Sequence, residues 1–340
     1  MDTSNTSTQF NDQFNDVELE RYPTFEEAIQ QLSSNEGNMP DPEILYGLSG
    51  LIDSQIRDFH KVWDLMDTTQ RQLLLQMMID AAYSNLELNF EPIGIMVLHD
   101  DTDTTVRRTA VELLYESETL TALSALRHVL MTDQDLPTQI NASRALGNFV
   151  LLAELGKITD RYVQPVREHL LSLLNSPQTD TLLRAASLEA IANCSHSDVA
   201  THIDQAYSAG ENELRRSAIV AMGRSCDERW SDHVLEELSS NDVDIQAIAA
   251  RAAGELQLEE AVPAFAHIYE DADLDTRSAI IWALGEIGGR EAMRMLENAL
   301  EDAESEGDEV LLEVIEDAIG NAGLLSGDLL IGNFDMPLDD

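Results

Sequence analysis

DLDTRSAIIWALG, residues 273–285, is one of seven stretches in this chain built to a single pattern. The others are DTTVRRTAVELLY (103–115), DLPTQINASRALG (135–147), DTLLRAASLEAIA (180–192), ENELRRSAIVAMG (211–223), DVDIQAIAARAAG (242–254) and DEVLLEVIEDAIG (308–320). Their final residues are separated by 32, 45, 31, 31, 31 and 35 positions, and the three equal steps set a register. A period of this size marks a chain built from repeated supersecondary units.

Every copy opens on an acid: Asp103, Asp135, Asp180, Glu211, Asp242, Asp273, Asp308. A carboxylate there can accept from the free amides of a helix start and complement its dipole. The position two before the end is small in six copies (Ala145, Ala190, Ala221, Ala252, Ala283, Ala318), with Leu113 the exception. Small residues let helices approach closely. The terminal glycines 147, 223, 254, 285 and 320 are read as helix stops, where a permissive backbone is useful.

A second helix lies between copies, seen best in EEAVPAFAHIYED (259–271) and REAMRMLENALED (290–302). Shifting by 31 residues aligns Ile203, Val234, Phe265 and Leu296, then Tyr207, Leu238, Tyr269 and Leu300, as its core stripe. The expected fold class is all-α: an α-solenoid of stacked antiparallel helix pairs.

The acidic start, the apolar residue or threonine before arginine (Val106-Arg107, Leu183-Arg184, Leu214-Arg215, Thr276-Arg277), the Ala-Leu-Gly close and the following EAVPAF resemble the short HEAT repeats of the phycobilisome-lyase type. The resemblance covers about 103–322, with a weaker extension upstream to about 42. It implies a HEAT-like fold. It leaves function open, because the motif encodes packing.

Four regions are expected: a disordered acidic lead (1–20), N-terminal helices acting as degenerate or capping repeats (21–102), the array (103–322) and a C-terminal tail (323–340). The step of 45 places an insertion near 148–161, in NFVLLAELGKITDRY, which either lengthens a helix or projects a loop. In the tail, GDLLIGNF (327–334) either folds back over the last unit or is presented as a docking motif.

The 64 acids and 20 bases give a formal net charge of -44, and the lysines are Lys61 and Lys157. Such a body repels phosphate backbones and anionic membrane surfaces, so neither nucleic acid nor membrane is expected as a partner. Solubility or adaptation to salt is the plain reading of the acidity. The expected partner is a protein with a basic surface, and the chain is expected to be a monomer. Cys194 and Cys226 make no disulfide framework and no leader is apparent, which points to the cytoplasm.

No phosphate-binding glycine loop, nucleophile elbow or Cys/His pair stands out, so no catalytic residue, cofactor or metal is expected. Deoxyhypusine hydroxylases, which are HEAT-like, use His-Glu pairs as iron ligands. None of the eight histidines here is followed by Glu. HEAT-like DNA glycosylases need a basic groove, which this charge balance opposes. A subunit of a bilin lyase-like enzyme is the alternative that the resemblance leaves. Cys194, His196, Asp198, His202 and Asp204 cluster in sequence but fit no zinc spacing, and His202 and His233 are expected to stack as register equivalents.

The remaining candidates follow from register. Positions offset from the core stripe give the rows Thr201, Asp232, Pro263, Arg294; Gln205, Glu236, His267, Asn298; and Ser208, Ser239, Glu270, Glu301. In the proteins resembled, the second helix lines the concave side. The partner-binding candidates are therefore Asp232, Glu236, His267, Glu270, Arg294, Asn298 and Glu301, a mixed and modestly acidic set suited to a protein or peptide. Trp282, whose equivalents are mostly charged, is added as either an exposed contact point or a ring partly covered by a neighbouring unit.

Overall fold

The register acids initiate helices as the sequence predicts. In the computed structural model, which describes residues 22–34 and 40–326, all regular elements are helical and no strand occurs among those residues. The chain divides into two compact units, Met1–Met96 and Val97–Asp340. The acidic lead (1–20) and the stretch 327–340 of the tail lie outside the described residues.

The first unit carries α1 (Phe25–Ser34), α2 (Ile44–Leu48), α3 (Asp53–Trp63), α4 (Thr68–Ser84) and the start of α5 (Glu91–Asp100). Its core is formed by Ile44, Leu48, Phe59, Trp63, Leu74, Leu75 and Met78, all buried. Asp67 caps α4 reciprocally with Gln70, each side chain meeting the other's backbone amide at 2.9 Å. Arg71 donates from Nε to the Trp63 carbonyl at 3.1 Å, tying α4 to the end of α3.

The second unit is an α-solenoid. Its first helices are α6 (Thr104–Leu113), α8 (Leu136–Glu154), α10 (Thr181–Ile191), α12 (Asn212–Arg224), α14 (Val243–Glu255), α16 (Leu274–Ile287) and α18 (Glu309–Ser326). They pack side by side in that order. The second helices α7 (Leu120–Thr132), α9 (Asp160–Asn175), α11 (Ser197–Ser208), α13 (Ser231–Glu237), α15 (Val262–Ile268) and α17 (Gly289–Glu306) alternate with them. Short 3₁₀ turns at Glu228–Trp230 and Glu259–Ala261 lead into α13 and α15.

Six of the seven register acids cap their helices through the side chain: Asp103, Asp135, Asp180, Asp242, Asp273 and Asp308. Glu211, one methylene longer, does not. It accepts from the Thr181 hydroxyl at 3.1 Å instead. The register arginines and glutamines tie helices together. Arg277 donates to the carbonyls of Tyr269 and Glu270 (3.1 and 2.8 Å) past the end of α15, and Gln246 to that of Leu238 (2.9 Å) past α13. These bonds satisfy carbonyls left over where the second helices stop.

The register glycines correct the sequence reading. They are not helix stops: each lies inside its helix, and α8 continues to Glu154, α16 to Ile287 and α18 to Ser326. For four of them, Gly320 excepted, the role is close approach. A Cβ on Gly147 would come 3.0 Å from Cα of Ala190, on Gly223 2.8 Å from Ala252, on Gly254 2.8 Å from Ala283 and on Gly285 3.1 Å from Ala318. The glycine of one copy thus faces the alanine of the next, backbone against backbone. The actual stop comes three residues later, where Cys226 (φ 47°), Gln257 (φ 51°) and Gly288 (φ 64°) all take a positive φ at one register position.

The insertion is mostly helix. It extends α8 past Gly147, turns at Gly156 (φ 69°) and continues into α9, a 16-residue helix with Pro165 inside.

Candidate functional site

The second helices are amphipathic in the register expected. Ile203, Val234, Phe265 and Leu296 are fully buried, as is Leu238, while Tyr207, Tyr269 and Leu300 are half-buried. All twelve positions of the three flanking rows are exposed: Thr201, Asp232, Pro263, Arg294, Gln205, Glu236, His267, Asn298, Ser208, Ser239, Glu270 and Glu301. Asp232, Glu236, Glu270 and Glu301 supply the negative charge of this face, with Arg294 and His267 interspersed.

Trp282 does not join them. It stands on α16, a first helix, half-buried with its ring 5.4 Å from the Arg251 guanidinium and its Cζ3 2.9 Å from where a Gly254 Cβ would be. It is a ring covered by the preceding unit. Of its charged register equivalents Glu112, Arg144, Arg251 and Asp317 are exposed, whereas Glu189 is buried and paired between units. Arg144 reaches Glu189 at 2.9 Å, and Glu189, only 8% exposed, also accepts from the Ser217 hydroxyl.

Ser239 and Glu270 fall just beyond the ends of α13 and α15, and at the end of α13 stands a charged cluster that sequence reasoning missed. Glu237 is 1% exposed, and its Oε1 accepts from the Tyr207 hydroxyl (2.5 Å) and from Arg215 Nε and Nη2 (3.0 and 2.6 Å). Burial, reinforced by this carboxylate, pushes the Tyr207 hydroxyl up to about 12. His233 sits edge-on to Tyr207 (5.3 Å) and Trp230 (5.9 Å), so its ring partners are these and not His202. The Leu214-Arg215 motif was the available signal, but the acid it would find could not be picked out among so many.

A cleft of about 1160 Å³ opens at the start of α17, lined among others by Glu259, Val262, Ile287, Arg290, Arg294 and Glu297. Its backbone wall is Gly288-Gly289, both at positive φ (64° and 79°). Arg294 is the row residue that lines it.

Elsewhere the titratable groups carry structural explanations. Burial pushes Glu255 up to about 6 against the attraction of Arg224 and Arg251. Burial also raises both thiols, with Glu255 adding to the effect at Cys226, so neither cysteine is activated as a thiolate. Cys194 is buried whereas His196, Asp198 and Asp204 are exposed. Among the described residues no group of three or more His, Cys, Asp or Glu side chains is placed to hold a metal ion, and no helix is long and apolar enough to cross a membrane.

The family model described as HEAT repeats matches residues 231–316, from α13 into α18. No curated protein matches the chain. Among solved structures, the Escherichia coli protein YibA is similar at 12% identity with a TM-score of 0.41, over 85% of this chain and 99% of that one. An engineered protein is 18% identical with a TM-score of 0.36, over 88% of each chain. Human deoxyhypusine hydroxylase, solved with glycerol, is also 18% identical with a TM-score of 0.36, over 88% of this chain and 95% of that one. Residues 231–316 therefore resemble HEAT repeats in sequence, and the solenoid of the second unit is HEAT-like in architecture.

Proposed function

We propose that the chain is a non-catalytic scaffold or adaptor that holds a protein or peptide partner on the second-helix face of its solenoid. The observation that carries this reading is that every position of all three register rows is exposed, Asp232, Glu236, His267, Glu270, Arg294, Asn298 and Glu301 among them, beside a buried or half-buried stripe. Side chains kept off the core at a constant interval line the second helices, with Ser239 and Glu270 just past their ends. The acids among them suit a partner with basic groups. The face is taken as the concave side, the protein as cytoplasmic, and residues 21–102 as degenerate or capping repeats.

Capture of partners from native extract tests this, using the wild-type chain and the triple reversal Glu236→Lys, Glu270→Lys, Glu301→Lys. Loss of the captured protein with unchanged helical content is the expected result; undiminished capture removes the assignment. The finer likeness to phycobilisome-lyase-type repeats rests on EAVPAF and the Ala-Leu-Gly close. A bilin lyase-like subunit is the corresponding second reading. Colour on co-expression with a bilin-binding protein would establish it over the scaffold.

A further inference from the structure

The hairpin between α8 and α9 is where the repeat period is stretched furthest, to 45 residues. α8 continues seven residues past Gly147, whereas α12 and α14 run one residue past their register glycines and α16 two. At about 1.5 Å per residue the hairpin reaches roughly 8 Å further than those ends. Its carboxylates are already engaged: Arg167, itself 16% exposed, pairs with both Glu154 and Asp160, and the Ser195 hydroxyl donates to Glu154. The cations beside them are not. Lys157 and Arg161 are exposed, and neither takes part in an ion pair among the described residues. Arg161 lies 4.6 Å over the Tyr162 ring and donates to its hydroxyl. Around these charges Leu151 (38% exposed), Leu155 (61%) and Tyr162 (41%) present apolar surface.

A cationic and apolar tip on a chain of net charge -44 calls for an acidic, apolar ligand. The chain contains one. Residues 327–340, GDLLIGNFDMPLDD, carry Asp328, Asp335, Asp339 and Asp340 with no base, together with Leu329, Leu330, Ile331, Phe334 and Met336. We propose that the α8–α9 hairpin is a docking site for this C-terminal segment of a second copy of the chain. Reach decides between the chain's own tail and a neighbour's. From α18 back to α8 are five steps between first helices, about 45 Å at roughly 9 Å each. Fourteen residues span at most about 48 Å when fully extended, which leaves none to make contacts within one chain. A head-to-tail contact of this kind is heterologous and adds copies in a row. It uses a different surface from the second-helix rows, so each assignment can fail without the other.

The test is fluorescence anisotropy of a labelled 327–340 peptide against the full-length chain, with a labelled 1–20 peptide as comparison. The expected result is micromolar binding of the 327–340 peptide alone, weakening as salt rises. Lys157→Glu/Arg161→Glu and, separately, Tyr162→Ala should each lower affinity at least tenfold. Lys157→Gln should lower it less, with circular dichroism unchanged in all. Light scattering of the full chain should show concentration-dependent association that the double reversal abolishes. Absent binding, binding untouched by the reversals, or equal binding of the 1–20 peptide would overturn the proposal.

Discussion

Alanine at Gly254 and alanine at Gly320 should change stability in opposite directions, although both occupy the same register position. Glycine inside a helix costs about 0.8–1.0 kcal/mol relative to alanine, so each substitution gains that amount in propensity. At Gly254 the new Cβ would lie 2.8 Å from Cα and 3.0 Å from Cβ of Ala283, and 2.9 Å from Trp282 Cζ3. Two of those atoms belong to the α16 backbone or its first side-chain carbon and cannot rotate away, so α14 and α16 must separate. Overpacking of this sort costs about 1–3 kcal/mol. At Gly320, on the last first helix, no atom of the described residues lies within 4 Å of the added methyl, and only the gain remains. The shared propensity cancels in the comparison, so Gly254→Ala should be less stable than Gly320→Ala by about 1–3 kcal/mol. Urea titration followed by far-ultraviolet circular dichroism measures the difference. Because repeat arrays can unfold in parts, hydrogen exchange in α14 and α16 should localise the loss to that pair. Equal and same-signed shifts from the two variants would refute the assignment of these glycines to helix contact.

Three further outcomes follow from the same geometry. Cys226→Gly and Gln257→Gly should each stabilise by up to about 1 kcal/mol in urea titration, since left-handed backbone penalises a Cβ and Gly288 already occupies the equivalent place. Glu255 has a folded value of about 6, above its ordinary 4.5, so the stability linked to its protonation is complete below about pH 4.5 and lost as pH rises through 6. Glu255→Gln should therefore raise the melting temperature at pH 8, by a gain on the order of 1–2 kcal/mol, and lose that advantage by pH 4. The Tyr207 phenol, held up at about 12, contributes stability that is present below pH 10 and lost between pH 10 and 12. Alkaline melts of Tyr207→Phe should lack that loss.

The sequence carried the period, the caps and both faces of the second helix, because each of these depends on residue type at a fixed interval. Asp273 caps α16 through a 2.9 Å bond to the Thr276 amide, and Phe265 is buried while Pro263 and His267 are exposed. What it misassigned were positions where one residue type has two uses. Glycine serves both helix stops and helix contacts. The left-handed stop fell on Cys226 and Gln257, which carry no sign of it, while Gly223 and Gly254 face alanines 29 residues on. For Trp282 the sequence left two readings open, and the half-buried ring against Arg251 matches the second, cover by a neighbouring unit. The Tyr207, Arg215 and Glu237 cluster needed knowledge of which of many acids points inward, and that is set by three-dimensional packing.

Hydrogen–deuterium exchange of the chain with and without its captured partner locates the binding face without altering a residue. Slowed exchange is expected in peptides covering α13, α15 and α17, with α12, α14 and α16 unchanged. Protection confined to the first helices, with none on the second, would contradict the placement of the partner on the second-helix rows.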